Sequence, residues 1–349
     1  MRRALAAAAL AGLIAPGARA EAPKPVTVAC YEIPSFRIGR AGETEFGPFR
    51  WLGGIEIEAD TRDFGGFSAL AFAGDRLVSV SDNALWLTAK LDADADGRPR
   101  CLAEPQLGAM VGTEGEGLFG KDDSDTESMA LGVLDGTPVA YIGFEGHARI
   151  LAYPLDAASG PGRPQAVAVP FDRHDLRFSK GLEALALAPQ GHPLAGSLIA
   201  IAERTLDDKG DFRAWIIGGP RPGAFTIERR DDFDVTDAAF LPDGDLLVLE
   251  RRFRPSDGVA MRIGRVRPDQ LVAGARVVAE MLIDADMRYQ IDNMEGLAVS
   301  EGPAGETIVT LVSDDNHSIF QRNLLLRFVY AGRGDAALAV RPPAAAAAQ

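Results

Sequence analysis

The sequence predicts an all-β fold, a β-propeller, on three observations. A unit of apolar, strand-like runs recurs roughly every 54–59 residues. Each unit carries carboxylates at equivalent strand ends, and no unit has the periodicity of a long helix. The clearest copies open on Asp125-Thr-Glu127-Ser-Met-Ala, Lys180-Gly-Leu-Glu183-Ala-Leu-Ala, Val235-Thr-Asp237-Ala-Ala-Phe and Asp292-Asn-Met-Glu295-Gly-Leu-Ala. Further along each copy, a second apolar run ends in another acid: Glu145, Glu203, Glu250 and Asp314. A fifth copy has Ser68 at the first position and keeps the second acid as Asp82.

Within a copy, two apolar runs lead into a weaker third strand, as in Trp86–Leu91, Ile150–Leu155 and Leu324–Tyr330, with turn-rich segments between them. Five copies predict five blades. The alternative is a six-bladed ring with most of the extra blade in residues 26–60. The last copy ends near Tyr330 without a fourth strand, whereas Arg50–Ala59 is strand-like and lacks a partner nearby. This N-terminal strand is expected to complete the last blade and close the ring, leaving no open sheet edge.

Residues 1–20 read as a secretory signal peptide: Arg2-Arg3, an apolar stretch from Ala4 to Ala15, and a small-residue site at Ala18-Arg-Ala20. A single propeller domain is expected over residues 21–342, with a low-complexity, disordered tail at 343–349. The expected location is periplasmic or secreted, with no membrane insertion after signal cleavage. Cleavage removes three arginines and moves the formal charge from −14 to −17. Such a surface excludes nucleic acid and anionic membranes as partners. A small anionic or ester substrate and a monomeric state are expected. Cys30 and Cys101 form an even pair in a chain bound for an oxidising compartment, so either a disulfide or two separate buried thiols fits.

In a propeller, equivalent strand ends from different blades converge on one rim. That places Glu127, Glu183, Asp237 and Glu295 in one ring, and Asp82, Glu145, Glu203, Glu250 and Asp314 in a second. Two like charges about 5 Å apart repel by roughly 3 kcal/mol at an effective dielectric of about 20, so the rings require positive charge or protons. Arginines are one source: Arg204 and Arg251 directly follow two of the acids, and Arg322 lies shortly beyond another. A hard divalent cation, best Ca²⁺, is the other, because oxygen ligands dominate and histidines are few. The competing reading for any single acid is an ion pair that only holds neighbouring blades together.

Other motifs carry less. Asp92-Ala-Asp94-Ala-Asp96-Gly97 resembles the start of a Ca²⁺ loop but has Ala103 at the twelfth position, so a hairpin turn is expected. Lys121-Asp-Asp-Ser-Asp125 extends the rim or forms a solvated acidic loop. His147 and His317 fall at the mouth, with a general-base or phosphate-contact role for each set against an ordinary surface or hydrogen-bonding histidine. His174 and His192 fall in loops and receive no role. Gly66-Phe-Ser68-Ala-Leu70 lacks the second glycine of a nucleophile elbow, and no phosphate-cradling glycine loop is present.

Over most of residues 50–330 the chain resembles the secreted bacterial family described as "esterase-like activity of phytase". The resemblance is carried by Asp292-Asn-Met-Glu295-Gly-Leu-Ala-Val, Leu311-Val-Ser-Asp314-Asp315-Asn316, Gln321-Arg322-Asn-Leu-Leu-Leu and Ser81-Asp82-Asn83. Gly65-Gly-Phe-Ser68, Asp125-Thr-Glu127-Ser, Gly181-Leu-Glu183-Ala and Glu250-Arg251 support it. Asn323 stands where threonine is expected, and Asp237 is a methylene shorter than the glutamate of the other copies. The resemblance implies a hydrolase of phosphoesters or related esters. The expected catalytic residues are Glu127, Glu183, Glu295 and His147. Arg204, Arg251, Arg322, Asn83 and Asn316 are expected to bind substrate. The expected metal ligands are Asp82, Glu145, Glu203, Asp237, Glu250 and Asp314. A non-catalytic propeller that binds a carbohydrate or protein, and a sugar-lactone hydrolase, are the alternatives.

Overall fold

A computed structural model describes residues 22–156, 160–171, 176 and 181–332. The expected signal segment, the tail and His174 lie outside the described residues. Five sheets, antiparallel except for the parallel pairing of Arg276–Val277 on the outer edge of blade 3, are arranged as the blades of a five-bladed propeller. Their innermost strands, Phe67–Ala73, Thr126–Leu134, Leu182–Leu187, Asp234–Phe240 and Asn293–Glu301, pack on one another in cyclic order around the channel.

Residues 26–60 do not build a sixth blade. They supply the outer strands of blade 5: Phe49–Ala59 pairs with Leu324–Tyr330, and Val28–Ile33 pairs with Phe49–Ala59. The ring is therefore closed by N-terminal chain, as the unpaired last copy demanded. Lys24–Pro25 crosses to the outer edge of blade 1. Cys30 and Cys101 form a disulfide, with Cα atoms 5.4 Å apart. It joins an outer strand of blade 5 to the strand Pro99–Ala109 of blade 1, so the seam where the ring closes is covalently locked.

Sheet-on-sheet burial holds the blades together. Five main apolar clusters lie one in each gap between neighbouring blades. The run Leu246-Leu-Val-Leu illustrates why the second strands are apolar throughout. Leu246 and Val248 pack toward blade 3, Leu247 and Leu249 toward blade 5. Successive side chains alternate faces, and both faces of this strand are buried. Asp92 and Ala93 end a strand of blade 1, and Asp94–Arg98 forms the hairpin turn that follows, in which Asp94 Oδ1 accepts the Asp96 and Arg98 N–H groups at 3.0 Å each.

Candidate functional site

Each innermost strand carries a β-bulge at its start, and this irregularity builds the site. Strand pairing skips Ser68 in blade 1, Glu127 in blade 2, Glu183 in blade 3, Thr236 in blade 4 and Glu295 in blade 5. A bulge leaves one residue outside the ladder and re-aims its side chain. Two residues earlier, each inner chain meets the end of the second strand: Gly66 with Asp82, Asp125 with Glu145, Gly181 with Glu203, Asp234 with Arg251, and Asn293 with Asp314. In the structure the two rings are thus made of Ser68, Glu127, Glu183, Thr236, Glu295 and of Asp82, Glu145, Glu203, Arg251, Asp314.

Blade 4 departs from the repeat as read in sequence by one residue on each strand. Asp237 is a ladder residue opposite Leu249, and its buried carboxylate accepts the Leu297 N–H at 2.6 Å and the Ala238 N–H at 2.8 Å. Burial raises its pKa well above the ordinary value, against those two hydrogen bonds. Glu250 is a ladder residue between Val235 and Arg262. Burial pushes it up to about 7, although Arg262 and Arg230 oppose the shift. The ring slots these two were expected to fill hold Thr236 and Arg251.

The acids converge most tightly at blades 2 and 3. Carboxylate oxygens of Asp125, Glu127 and Glu145 lie within 4.8 Å of one another, as do those of Glu145, Glu183 and Glu203. Glu145 belongs to both groups and also accepts the Gly181 N–H at 3.1 Å. Glu203 is 1% exposed. Burial raises the pKa of Glu127, and the nearby Asp125, Glu295 and Glu145 raise it further. Glu183 is raised by burial and then by Glu127 and Glu203. Hard oxygen donors in two adjoining triplets, buried except for the half-buried Glu127, fit a divalent cation such as Ca²⁺ or Mg²⁺ and suit zinc poorly.

Arg251 enters this ring from the blade 4 side. Its Nε donates to Glu295 Oε1 at 2.8 Å, and its Nη2 lies 3.9 Å from Glu203 Oε1. The Glu295 charge raises the guanidinium pKa, so the arginine stays charged. Asn293 adds a second donor to Glu295 Oε1 at 2.8 Å and reaches Asp314 Oδ2 at 3.4 Å. Glu295 is nevertheless raised by burial, and Asp314 is pushed up to about 7, by burial first and by Glu295 next. Asp82 sits on the other flank, 3.7 Å from Lys121 Nζ, which also lies 3.4 Å from Asp125 Oδ1. Burial raises the pKa of Asp82 despite that lysine.

The remaining expected residues sit at the margin. Arg204 is held by Asp234, with its Nε 2.8 Å from Oδ2, and Arg229 donates to the other oxygen of the same carboxylate at 2.9 Å. Arg322 is tied to the Gln290 amide oxygen at 3.1 Å and to the Ile291 carbonyl at 3.2 Å. Nδ1 of His147 lies 3.0 Å from Asp123 Oδ1, both side chains exposed. Asn83 donates to Asp82 Oδ1 at 2.8 Å and lies 3.3 Å from the His317 ring. Asn316 caps Asp314 through its backbone N–H at 2.6 Å, with its side chain exposed.

In the sequence Asp125 reads only as a rim or loop residue, and neither Asn293 nor Thr236 stands out. A signal for the true blade 4 register is present in the chain. An apolar residue directly precedes each of the skipped positions 68, 183, 236 and 295: Phe67, Leu182, Val235 and Met294.

No curated protein sequence matches the chain. Among solved structures it is similar to a thermostable family-43 glycoside hydrolase, with 10% identity over 76% of this chain and 90% of that one and a TM-score of 0.46. The PQQ-bound aldose sugar dehydrogenase of Streptomyces coelicolor aligns at 14% identity over 87% and 99% of the two chains, with a TM-score of 0.40. The tail fibre of Staphylococcus aureus phage P68 aligns at 11% identity over 81% and 53%, with a TM-score of 0.41. At these values the likenesses bear on neither substrate nor chemistry. Residues 62–317 match the Phytase-like family, described as "Esterase-like activity of phytase". Since that match spans most of the blades and both acid triplets, the chain belongs to the Phytase-like family.

Proposed function

We propose that the protein is a secreted or periplasmic, metal-assisted hydrolase of phosphoesters or related esters, acting as a monomer on a small anionic or ester substrate. The observation that carries this reading is the pair of largely buried carboxylate triplets joined through Glu145. Asp125, Glu127, Glu145, Glu183 and Glu203 would hold the cation, with Ca²⁺ preferred for its tolerance of many carboxylate oxygens. A bound cation would supply Lewis-acid polarisation of the ester and a more acidic water.

The chain's own groups then have separable tasks. Arg251 stays charged beside the triplets and is placed to meet an anionic oxygen that develops as the ester is attacked. Arg251 and Asn293 both donate to Glu295 Oε1, which fixes the orientation of that carboxylate as a proton acceptor for water. Arg204, exposed next to Glu203, adds positive charge at the entrance. On a protein of formal charge −14, these arginines are what admits an anionic substrate.

The test is phosphate release and aryl-ester hydrolysis by residues 21–349, with Ca²⁺ and after chelation, alongside a sugar lactone. Turnover that chelation removes and Ca²⁺ restores is the expected result. A second reading, a non-catalytic binding propeller, is favoured by Arg322 and Arg204, whose guanidiniums are occupied by the protein's own acceptors. No turnover with any divalent cation, together with a melting temperature indifferent to chelation, would select that reading.

A further inference from the structure

Beside the acid ring lies a groove of about 770 Å³ whose composition differs from the rest of the mouth. At one end are Arg251 and Asn293, both of which also contact Glu295. Its walls are Phe253, Met287 and Phe320, which are 64%, 55% and 89% exposed. Large apolar side chains left this open beside a charged centre have to be explained by something that covers them.

Local structure shows how the groove is built. Arg251 and Phe253 are two residues apart on the strand Leu246–Arg254, so they project from the same face. The charged end and the first apolar wall are therefore one continuous surface. Met287 lies across the following turn over Gly258, where an added Cβ would come within 2.8 Å of the Met287 side chain. Phe320 stands on the loop between the second and third strands of blade 5. That loop is pinned by the Ser318 N–H to the Asp315 carbonyl at 2.7 Å and by the Phe320 N–H to Ser318 Oγ at 3.3 Å.

From these features we infer that the groove seats the apolar, aromatic part of the substrate, and that the enzyme is directed to aryl esters of anionic acids such as aryl phosphomonoesters. This deepens the proposed hydrolase reading and rests on it. Apolar walls with a charged end match a ligand with an aromatic body and an anionic head. In the reaction, water oxygen bonds to phosphorus, the bond from phosphorus to the aryl oxygen breaks, and a proton from that water leaves with the phenol. The acid ring would act on the phosphoryl end while Phe253 and Phe320 flank the leaving ring.

The experiment compares binding of phenylphosphonate and methylphosphonate to residues 21–349 in Ca²⁺, with turnover of phenyl and methyl phosphate measured in parallel. Burying one phenyl ring should favour the aryl ligand by about tenfold or more. Phe253→Ala and Phe320→Ala should each reduce the phenyl-to-methyl ratio several-fold, while Phe119→Ala, at an exposed position outside the groove, should leave it intact. Equal binding of the two phosphonates, or a ratio unmoved by both groove variants, would overturn the assignment. So would concentration-dependent dimerisation abolished by Phe320→Ala, because the groove would then be an interface between copies. Aryl-selective binding without turnover would keep the groove and sink the hydrolase, whereas turnover without aryl preference would do the reverse.

Discussion

Blades 2 and 3 place a glutamate at both ring positions, whereas blade 4 places Thr236 and Arg251 at the same two positions on the same bulged backbone. The bulge, the apolar residue before the ring position and the buried second strand are common to blades 3 and 4, so the fold accepts either charge pattern. The acids of blades 2 and 3 therefore cannot be explained as a requirement of the propeller. They concentrate negative charge in one sector of the channel, and blade 4 sets a cation against its edge. Unlike charges at neighbouring ring positions make an ion pair. Like charges at neighbouring positions make a site for an added cation or for protons.

The largest expected effect comes from Glu145→Gln, which removes the carboxylate shared by both triplets. Loss of groups that only support a metal ligand commonly lowers affinity or activity 10- to 100-fold, so removal of the shared ligand should lower kcat/KM by more than about a hundredfold. The same change should raise the melting temperature of the ion-free protein, because it relieves repulsion among buried acids, and it should abolish any rise on adding Ca²⁺. A variant that melts lower without cation and still responds to Ca²⁺ would mean that Glu145 is a structural group. Calorimetry with and without chelator separates the two.

Next in size is Arg251→Met, which tests the blade 4 side of the comparison. It leaves Glu295 without its 2.8 Å guanidinium partner and Glu203 without the nearby positive charge. Removing one member of a fully buried pair costs about 4 kcal/mol in stability, and since Arg251 is 25% exposed the loss here should be smaller. Since the opposite charge accumulates toward the triplets, saturating Ca²⁺ should recover part of that loss. Denaturant unfolding at several Ca²⁺ concentrations measures it, and an unchanged midpoint would break the contrast between the two sectors.

Glu250 offers a control outside the ring. It carries its proton up to about pH 7 in the folded chain, against 4.5 for the free side chain. The folded state thus binds more protons across that window, and stability falls as pH rises from about 4.5 to about 7, by up to about 3 kcal/mol from this group. The groups facing it are Arg262, Arg230, Arg229 and Asp234. Glu250→Gln should flatten that part of the stability–pH curve without altering Ca²⁺ dependence. A pH profile identical to the parent would show that this carboxylate is already ionised when folded.

The repeat, the ring closure and the acids of blades 2, 3 and 5 were legible in the sequence because strand alternation and the position of each acid agree there. The misreading in blade 4 has a local cause. The run Leu246-Leu-Val-Leu ends in Glu250, which looks like the terminal acid of the other copies, yet bulges offset the pairing by one residue and apolar runs do not report offsets. Asp125 was hard to place because it precedes its strand, and its carboxylate joins the Glu127–Glu145 group only once the Glu145 N–H bonds to its carbonyl, at 2.9 Å, and sets the chain against the second strand. The Cys30–Cys101 bridge could not be decided, because the two cysteines meet only when the last and first blades close on each other.

Thr236 makes the smallest and most discriminating change. Its hydroxyl donates to the Met294 carbonyl at 3.0 Å, in the residue just before Glu295, and it is fully buried. Thr236→Val keeps the shape and removes that bond, which should lower stability by about 1 kcal/mol. If blade 4 contributes only Arg251 to the charge balance, Ca²⁺ affinity and the rate should stay within about twofold of the parent, because the triplets belong to blades 2 and 3. A fall in Ca²⁺ affinity larger than the change in stability would instead mean that the Thr236–Met294 link holds Glu295 in register with the triplets. The cation would then read the position of all five blades, and the division into an acidic sector and an arginine sector would give way to one continuous site.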